Sequence, residues 1–184
     1  SKPPEKPVQR RVWDEFITTL KVLPKEDDLQ RPLIENGNKD EIVISPAGPS
    51  GTVVVFFRGM AAGAGMPNVF LDRFFAAKGW QSVFVTDYQR RCFVSGLSSV
   101  SDTLEGMSEQ LAHLEAVRNA RRIVVLGNSA GGIGAIRFAV QVEANQPLCF
   151  CPVAPLNERH REELGDTRRS RMTQKLADLV TAKD

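Results

Sequence analysis

The chain contains few of the side chains that metal, redox and disulfide sites require. Of its 184 residues, only two are histidine and three are cysteine. The histidines, His113 and His160, lack ligand-like spacing to each other or to the cysteines, so the sequence implies no metal and no cofactor. Cys149 and Cys151 lie two apart on a predicted strand and face the same side. We interpret them, together with Cys92, as packing thiols without a disulfide.

Long apolar runs and a strong net charge are also missing. No stretch is long enough to cross a bilayer, and the proline-rich segment 1–7 has no apolar signal core. We therefore expect a soluble, cytoplasmic protein with no membrane span. The formal net charge of +2 does not favour nucleic acid as a partner. Five arginines lie between residues 159 and 171. We interpret them first as a solvated helix face. The alternatives are contact with an anionic substrate tail or with an acidic partner.

The overall composition is that of an ordinary soluble protein, and the length fits one compact domain. We expect residues 1–40 to form a tail and a short N-terminal helix, because apolar residues at helical spacing stop before Pro24. Residues 41–184 then form the domain itself. Glu41–Ser45 predicts an edge strand, and Thr52–Phe57 predicts a central strand.

Predicted strands and helices alternate along the rest of the chain. These elements are a helix from Pro67 to about Lys78 that Gly79 ends, a strand over Gln81–Asp87, one helix from Asp102 to Val117, and a strand over Pro147–Val153. Apolar residues 133, 136 and 140, with alanines at 135 and 139, predict a further helix packed closely on the sheet. This alternation predicts an α/β fold with a mostly parallel central sheet, helices on both faces and right-handed crossovers.

The segment Ile123–Gly132 joins an apolar, β-branched strand to a serine flanked by small residues and then to a helix. Its Gly-Asn-Ser-Ala-Gly spacing is that of a nucleophile elbow, in which Ser129 sits on a tight strand-to-helix turn. A side chain at Gly127 or Gly131 would collide with neighbouring backbone. The helix that begins at Ala130 would present free N–H groups to an oxyanion. The alternative is a glycine-rich turn in which the serine only caps the helix.

A glycine-rich loop, Arg58–Gly65, follows the central strand. Its glycines allow the backbone to approach a ligand closely, and in hydrolases with an elbow the second oxyanion donor is found here. The alternative is a flexible connection. The loop lacks the lysine of the phosphate-binding G-x-x-x-x-G-K-[ST] motif, so we do not interpret it as a nucleotide site.

Asp87 falls at the carboxyl end of a predicted parallel strand, the edge where ligands gather in open α/β sheets. It is therefore a candidate functional carboxylate. The alternative is a structural carboxylate that holds residues 88–100, since aspartate often begins a loop. His113 lies off the apolar stripe of its helix, so we expect it to be exposed and not to serve the serine.

The strand 52–57 with its glycine-rich loop, the Gly-Asn-Ser-Ala-Gly elbow and the strand 148–153 resemble the α/β-hydrolase superfamily over roughly residues 40–155. The resemblance implies a serine, a carboxylate and a histidine in that chain order, and acyl-enzyme chemistry on esters, thioesters or amides. By position, Ser129 would be the nucleophile. The Ala130 N–H, with an N–H from Gly59 or Met60, would form the oxyanion hole.

The chain departs from the superfamily pattern in its histidine, because it has only His113 and His160 and no obvious late strands. Three explanations stay open. His160 folds back over Ser129, the base comes from sequence beyond this chain or from a partner chain, or the protein has kept the fold without catalysis.

Two hypotheses follow for the function. The first is a serine-dependent hydrolase or acyltransferase acting on a small ester or thioester, with Ser129 as nucleophile, His160 as base and Asp87 or Asp166 as orienting acid. The second is a catalytically inactive α/β-hydrolase-like module that serves as a binding or structural subunit of a larger assembly, with a protein partner or as an oligomer.

Overall fold

The computed structural model of this chain describes residues 7–35, 37–59 and 67–150. Its helices are α1 (Pro7–Lys21), α2 (Asn68–Ala77), α3 (Leu104–Ala112), α4 (Glu115–Arg118) and α5 (Gly131–Gln141), and its strands are β1 (Ile42–Ile44), β2 (Thr52–Phe57), β3 (Gln81–Val85), β4 (Arg122–Asn128) and β5 (Gln146–Phe150). Predictions for residues 60–66 and from 151 onward fall outside the described ranges. None of the helices within those ranges is long and apolar enough to span a bilayer.

The described strands form a five-stranded sheet in the order β1-β3-β2-β4-β5. Strands β3, β2, β4 and β5 run parallel, and β1 pairs antiparallel with β3 at one edge. The Val- and Phe-rich β2 lies in the middle and is buried along its whole length, as expected for a strand covered on both faces. The predicted α/β fold with a mostly parallel central sheet is confirmed.

Successive side chains of a strand point to opposite faces of the sheet. Since β2 is apolar at successive positions, both faces are apolar, and helices cover both. On one face, Phe57 packs against Phe138 of α5 and the buried stripe of α3. On the other face, the rings of Phe56 and Phe84 meet at 6.0 Å, and Phe75 of α2 packs against them. This two-sided core holds the carboxyl ends of β3, β2 and β4 side by side.

A buried ion pair ties α2 to the segment that precedes β1. Arg31 Nη2 donates to Asp72 Oδ1 at 2.5 Å, and both side chains are almost completely buried. The Asp72 carboxylate also accepts from Arg31 Nη1 at 3.1 Å, from Ser82 Oγ at 2.6 Å and from the Ile34 N–H at 2.9 Å. These bonds fix α2 against β3 as well as against residues 31–34.

The prediction of one helix from Asp102 to Val117 is wrong. Leu114 has an extended backbone, with ψ of 135°, and divides the segment into α3 and α4. The apolar stripe nevertheless continues across the bend, because Leu111 before it and Val117 after it are both buried. Because the apolar spacing is the same before and after the bend, the sequence pattern does not indicate where the helix breaks.

The buried face of α5 also differs from the prediction. Ala135 and Ala139 face the core as expected, and so does Phe138, but Ile136 and Val140 are 53% and 68% exposed. The physical reason is the close approach of this helix to the sheet, which leaves room beside the core mainly for glycine and alanine. The larger aliphatic side chains therefore lie on the outer face.

Candidate active site

Ser129 lies at the turn between β4 and α5. Its φ is +51°, in the left-handed region that non-glycine residues rarely occupy. Such a backbone costs about 1–2 kcal/mol and persists only where the surroundings determine it. The Ser129 N–H donates to the Phe150 carbonyl at 2.9 Å, and the Ser129 carbonyl accepts from the Gly132 N–H at 3.0 Å. The turn is thus held by β5 on one side and by α5 on the other.

Ser129 does not cap α5. The N-cap position belongs to Ala130, and no side chain forms a capping hydrogen bond there. A capping serine would have an extended backbone and would accept an N–H from the first turn of the helix. The alternative in which Ser129 only caps the helix is therefore wrong.

The glycines near Ser129, at positions 127 and 131, allow neighbouring atoms to come closer than a Cβ atom would permit. A Cβ at Gly131 would lie 2.2 Å from the Phe57 carbonyl oxygen, and a Cβ at Gly127 would lie 2.7 Å from Ala135 Cβ. Real Cβ atoms essentially never come closer than 3.0 Å to a neighbour, so the predicted collisions are confirmed. Without these side chains, the first turn of α5 packs directly against β2 and β4.

Two backbone N–H groups beside the elbow lack a backbone acceptor within the described part of the chain, namely those of Gly59 and Ala130. Gly59 is buried, and a Cβ there would lie 3.4 Å from Ser129 Cβ, so its backbone runs alongside the serine. Buried N–H groups normally have partners. An oxyanion hole requires N–H groups that are free to bind substrate. Met60, the other predicted donor, lies outside the described residues.

Asp87 lies at the same level of the sheet as Ser129. At the carboxyl ends of the three central strands, Phe57 of β2 pairs with Val85 of β3 and with Gly127 of β4. Asp87, Gly59 and Ser129 each follow one of these paired residues by two positions. At the level of the pairs, the backbones of Val85 in β3 and Gly127 in β4 are two strand spacings, or about 10 Å, apart. The carboxyl edge of the sheet brings these three predicted site residues together.

The Asp87 carboxylate holds the loop that follows β3. Its Oδ2 accepts from the N–H of Arg91 at 2.6 Å and of Phe93 at 3.0 Å. These bonds support a tight loop in which Arg90, Cys92 and Phe93 have left-handed φ values between 54° and 64°. Oδ1 is buried and has no hydrogen-bond partner among the described residues. Oδ2 thus has the structural role given as the alternative, whereas Oδ1 accepts no hydrogen bond from the described part of the chain.

The cysteines in the described ranges are buried or half-buried. Burial, with the nearby charge of Asp87, raises the pKa of Cys92 to about 11, and burial also raises the pKa of Cys149. Both thiols are therefore protonated at neutral pH. Cys149 Sγ lies 3.9 Å from the Gly132 carbonyl oxygen, against α5. The described residues contain no group of three His, Cys, Asp or Glu side chains that could hold a metal ion.

The only histidine among the described residues lies away from the elbow. His113 is exposed at the end of α3, as predicted. Glu115, two residues further on, lines a cavity with Thr52 and Gln81, the first residues of β2 and β3. His113 is therefore close to the amino edge of the sheet, opposite the candidate site. The predicted base and the second predicted acid lie outside the described ranges: His160 and Asp166.

Sequence reasoning did not single out Arg58, the first residue after β2. Its side chain lines a cavity of about 180 Å³ together with Asn68 at the start of α2. Nη1 donates to Thr86 Oγ1 at 3.2 Å, whereas Nε, like Asn68 Oδ1, is buried and has no hydrogen-bond partner among the described residues. Burial lowers the pKa of Arg58, and Tyr88 partly opposes this. A charged residue directly after an apolar strand, at the ligand edge of a parallel sheet, is the signal that could have identified it.

No protein-family model matches this sequence, and no curated protein sequence matches it. Several solved structures are similar at low identity. An α/β-hydrolase enzyme from the metagenome of lagoon sediments at Mar Chica, Morocco, is 17% identical, with a TM-score of 0.43, over 79% of this chain and 63% of that chain. Esterase B from Lactobacillus rhamnosis is 14% identical, with a TM-score of 0.38, over 98% and 67%. The Mycobacterium tuberculosis protein MPT51 is 14% identical, with a TM-score of 0.39, over 73% and 55%.

This chain therefore spans between about half and two thirds of the length of these three proteins. At such identities and TM-scores the likeness says nothing about catalysis. The chemistry of the site depends on the residues at the carboxyl edge of the sheet.

Proposed function

We propose that this protein is a serine-dependent hydrolase or acyltransferase that acts on a small ester or thioester through an acyl-enzyme. The observation that carries the proposal is the left-handed backbone of Ser129, with φ of +51°, on a turn that Gly127 and Gly131 make possible. This backbone is strained, and Ser129 does not serve as a helix cap. Strain of this kind clusters at functional sites, where it aims a side chain.

In the proposed reaction, Ser129 Oγ attacks the substrate carbonyl carbon and passes its proton to a base. The N–H groups of Ala130 and of Gly59 or Met60 donate to the oxyanion of the tetrahedral intermediate, and the dipole of α5 adds to its stabilisation. The base returns the proton to the leaving alcohol or thiol. Water, or a second nucleophile in a transferase, then attacks the acyl-enzyme by the reverse sequence and releases the acyl group.

We assign the base to His160 and the orienting carboxylate to Asp87 or Asp166. Two features favour Asp87. It follows β3, whose end at Val85 lies two strand spacings, about 10 Å, from the end of β4 at Gly127, a gap that an imidazole bonded at both nitrogens can bridge. Its Oδ1 is also buried without a partner among the described residues. Neither acid stands between the serine and the histidine in the chain, so both depart from the order that the superfamily resemblance implies.

A fluorophosphonate probe tests the proposal, with the adduct located by peptide mass spectrometry. We expect the adduct on Ser129 in the native protein and none in Ser129→Ala. His160→Ala should be labelled roughly 100-fold more slowly, the lower range for loss of a general base. The matched control is His113→Ala, which should be labelled at the native rate because His113 is exposed and close to the other edge of the sheet.

Two results would contradict the assignments. If a known serine hydrolase reacts under the same conditions and this protein does not, Ser129 is not an activated nucleophile. If His160→Ala is labelled as fast as the native protein, the base is another group.

The second candidate function is a catalytically inactive module that binds a protein partner. It is favoured by large apolar side chains exposed on α5 and β5: Ile136, Val140, Leu148 and Phe150. Sedimentation velocity of the native protein and of Phe150→Lys tests it. Self-association that this substitution removes, in a protein that the fluorophosphonate does not label, would favour the module. A labelled protein that stays monomeric would exclude it.

A further inference from the structure

Arg58 is held against β3 through both its backbone and its side chain. Its N–H donates to the Val85 carbonyl at 2.9 Å. Its Nη1 donates to Thr86 Oγ1 at 3.2 Å, and a further side-chain hydrogen bond joins it to Tyr88. Thr86 is 2% exposed, so its hydroxyl is a fixed anchor for the guanidinium. Arg58 is therefore fixed at several points to the residues that end and follow β3.

The carbonyl group of Arg58 lies beside the elbow. A Cβ at Gly131 would lie 2.8 Å from the Arg58 carbonyl oxygen, so this oxygen is close to the first turn of α5. The next residue, Gly59, is buried, and its backbone runs beside Ser129. The Arg58 carbonyl and the Gly59 N–H belong to one planar peptide unit. Contacts that fix Arg58 therefore also fix the direction of the Gly59 N–H.

Stability does not account for a guanidinium at this position. No described carboxylate forms an ion pair with Arg58, and burial lowers its pKa, so the surroundings disfavour the charged form. Its Nε is also buried without a hydrogen-bond partner in the part of the chain that the structure describes. Charged and polar groups that lose water without full compensation destabilise the fold. The two hydroxyl groups that Arg58 does bond are thus the main observation that a role for it must explain.

We propose that Arg58 is a positioning residue, which holds the Gly59 N–H as an oxyanion donor through its bonds to Thr86 and Tyr88. This inference rests on the proposed function, because it concerns one of the two N–H groups assigned to the oxyanion hole. Such donors stabilise a transition state only if they are fixed before the charge develops. Arginine suits the role because its planar guanidinium carries several N–H donors, so one side chain can bond two hydroxyl groups.

Arg58→Met and Thr86→Val each remove one partner of the bond between the two side chains. Labelling of Ser129 is followed over a range of fluorophosphonate concentrations, in protein that circular dichroism shows to be folded. We expect a maximal labelling rate lower by about tenfold, less than the roughly 100-fold or more that loss of a whole oxyanion donor costs. The half-saturating concentration should not change, because the donor acts in the transition state and not in the initial complex.

Three further variants separate this bond from general effects. The double variant Arg58→Met with Thr86→Val should be labelled as slowly as Arg58→Met alone, because both changes remove the same bond. Thr52→Val is the matched control, since Thr52 is also buried but begins β2 at the opposite edge of the sheet, and it should be labelled at the native rate. Arg58→Lys keeps the charge and an N–H donor, so it should recover part of the rate. It also takes the place of Arg58→Met if that variant does not fold.

Backbone ¹⁵N relaxation of Gly59 tests the positioning without catalysis. We expect a lower order parameter for the Gly59 N–H in Arg58→Met than in the native protein. The proposal is overturned if the Gly59 signal neither shifts nor becomes more mobile, if both single variants are labelled at the native rate, or if the double variant shows the product of the two single effects.

These outcomes distinguish the proposal from the proposed function. A native protein that the fluorophosphonate does not label would remove the catalytic proposal, whereas increased mobility of Gly59 in Arg58→Met would still identify Arg58 as the residue that holds this backbone. A labelled protein in which Arg58→Met changes neither the rate nor the Gly59 signal would do the reverse.

Discussion

Replacing Asp72 by asparagine tests the buried anchor of α2. The Asp72 carboxylate accepts two hydrogen bonds from Arg31, one from Ser82 Oγ and one from the Ile34 N–H. Asparagine keeps the shape of the side chain, but it removes the charge and turns one acceptor oxygen into a donor that faces other donors. The Arg31 guanidinium, whose side chain is 1% exposed, then remains buried without a counter-charge.

The expected loss follows from this geometry. Removing one partner of a buried ion pair costs about 3–5 kcal/mol of unfolding free energy. In a domain of this size, each kcal/mol lowers the melting temperature by about 2–4 °C, so we expect a decrease of about 6–20 °C. Since whole domains are stable by only about 5–15 kcal/mol, Asp72→Asn should fold, but with little stability in reserve.

Urea unfolding followed by circular dichroism measures this loss. Asp40→Asn is the matched control, because Asp40 is exposed, and it should change the unfolding free energy by less than about 0.5 kcal/mol. The double variant Asp72→Asn with Arg31→Met removes both charges and should be more stable than Asp72→Asn alone. A loss below about 1 kcal/mol for Asp72→Asn, or a double variant that is the simple sum of the two single variants, would refute the reasoning.

Three further predictions concern the elbow, a helix cap and a thiol. Ser129→Gly should be more stable than Ser129→Ala by about 1 kcal/mol in urea unfolding, because glycine adopts the left-handed φ without strain, and equal stabilities would argue against a strained turn. Thr103→Ala should cost about 1 kcal/mol and Thr103→Ser much less, since Thr103 Oγ1 accepts the Gly106 N–H at the start of α3; similar losses for the two variants would mean that this bond is not the cause. Iodoacetamide at pH 8 should modify Cys149 before Cys92 by peptide mass mapping, because burial raises the pKa of Cys92 to about 11, and the reverse order would contradict that burial. Because the folded pKa of Cys92 lies above its ordinary value of 9.0, the stability that this thiol contributes is complete below pH 9 and is lost as the pH rises toward 11.

The elbow could be predicted from the sequence because all its constraints are local. The β-branched strand, the glycines at 127 and 131 and the following helix lie within one short segment, and the structure gives the collisions that the spacing implies. Local pattern was also enough for the central strand β2 and for the presence of helices α2 and α5. The assignment of His160 as the base stays a prediction, since His160 lies outside the described residues.

The remaining features depend on information that periodicity does not contain. The apolar stripe of α3 continues through the bend at Leu114, so its spacing predicts one helix where there are two. Helix α5 has apolar residues on several sides, and its contact face is selected by small residues that a hydrophobicity pattern undervalues. The pairing of Arg31 with Asp72, and the sharing of one cavity by Arg58 and Asn68, join residues that are distant or unpatterned in the sequence.

Asp87, Gly59 and Ser129 follow the ends of three different strands, so the candidate site can form only when these strands, β3, β2 and β4, have paired in parallel. Parallel pairing requires long crossover segments to close first, and such non-local contacts form slowly. A nascent chain that has formed the β4–α5 turn alone would carry the elbow without its neighbours. The edge of the sheet that holds the candidate site would therefore be completed late in folding.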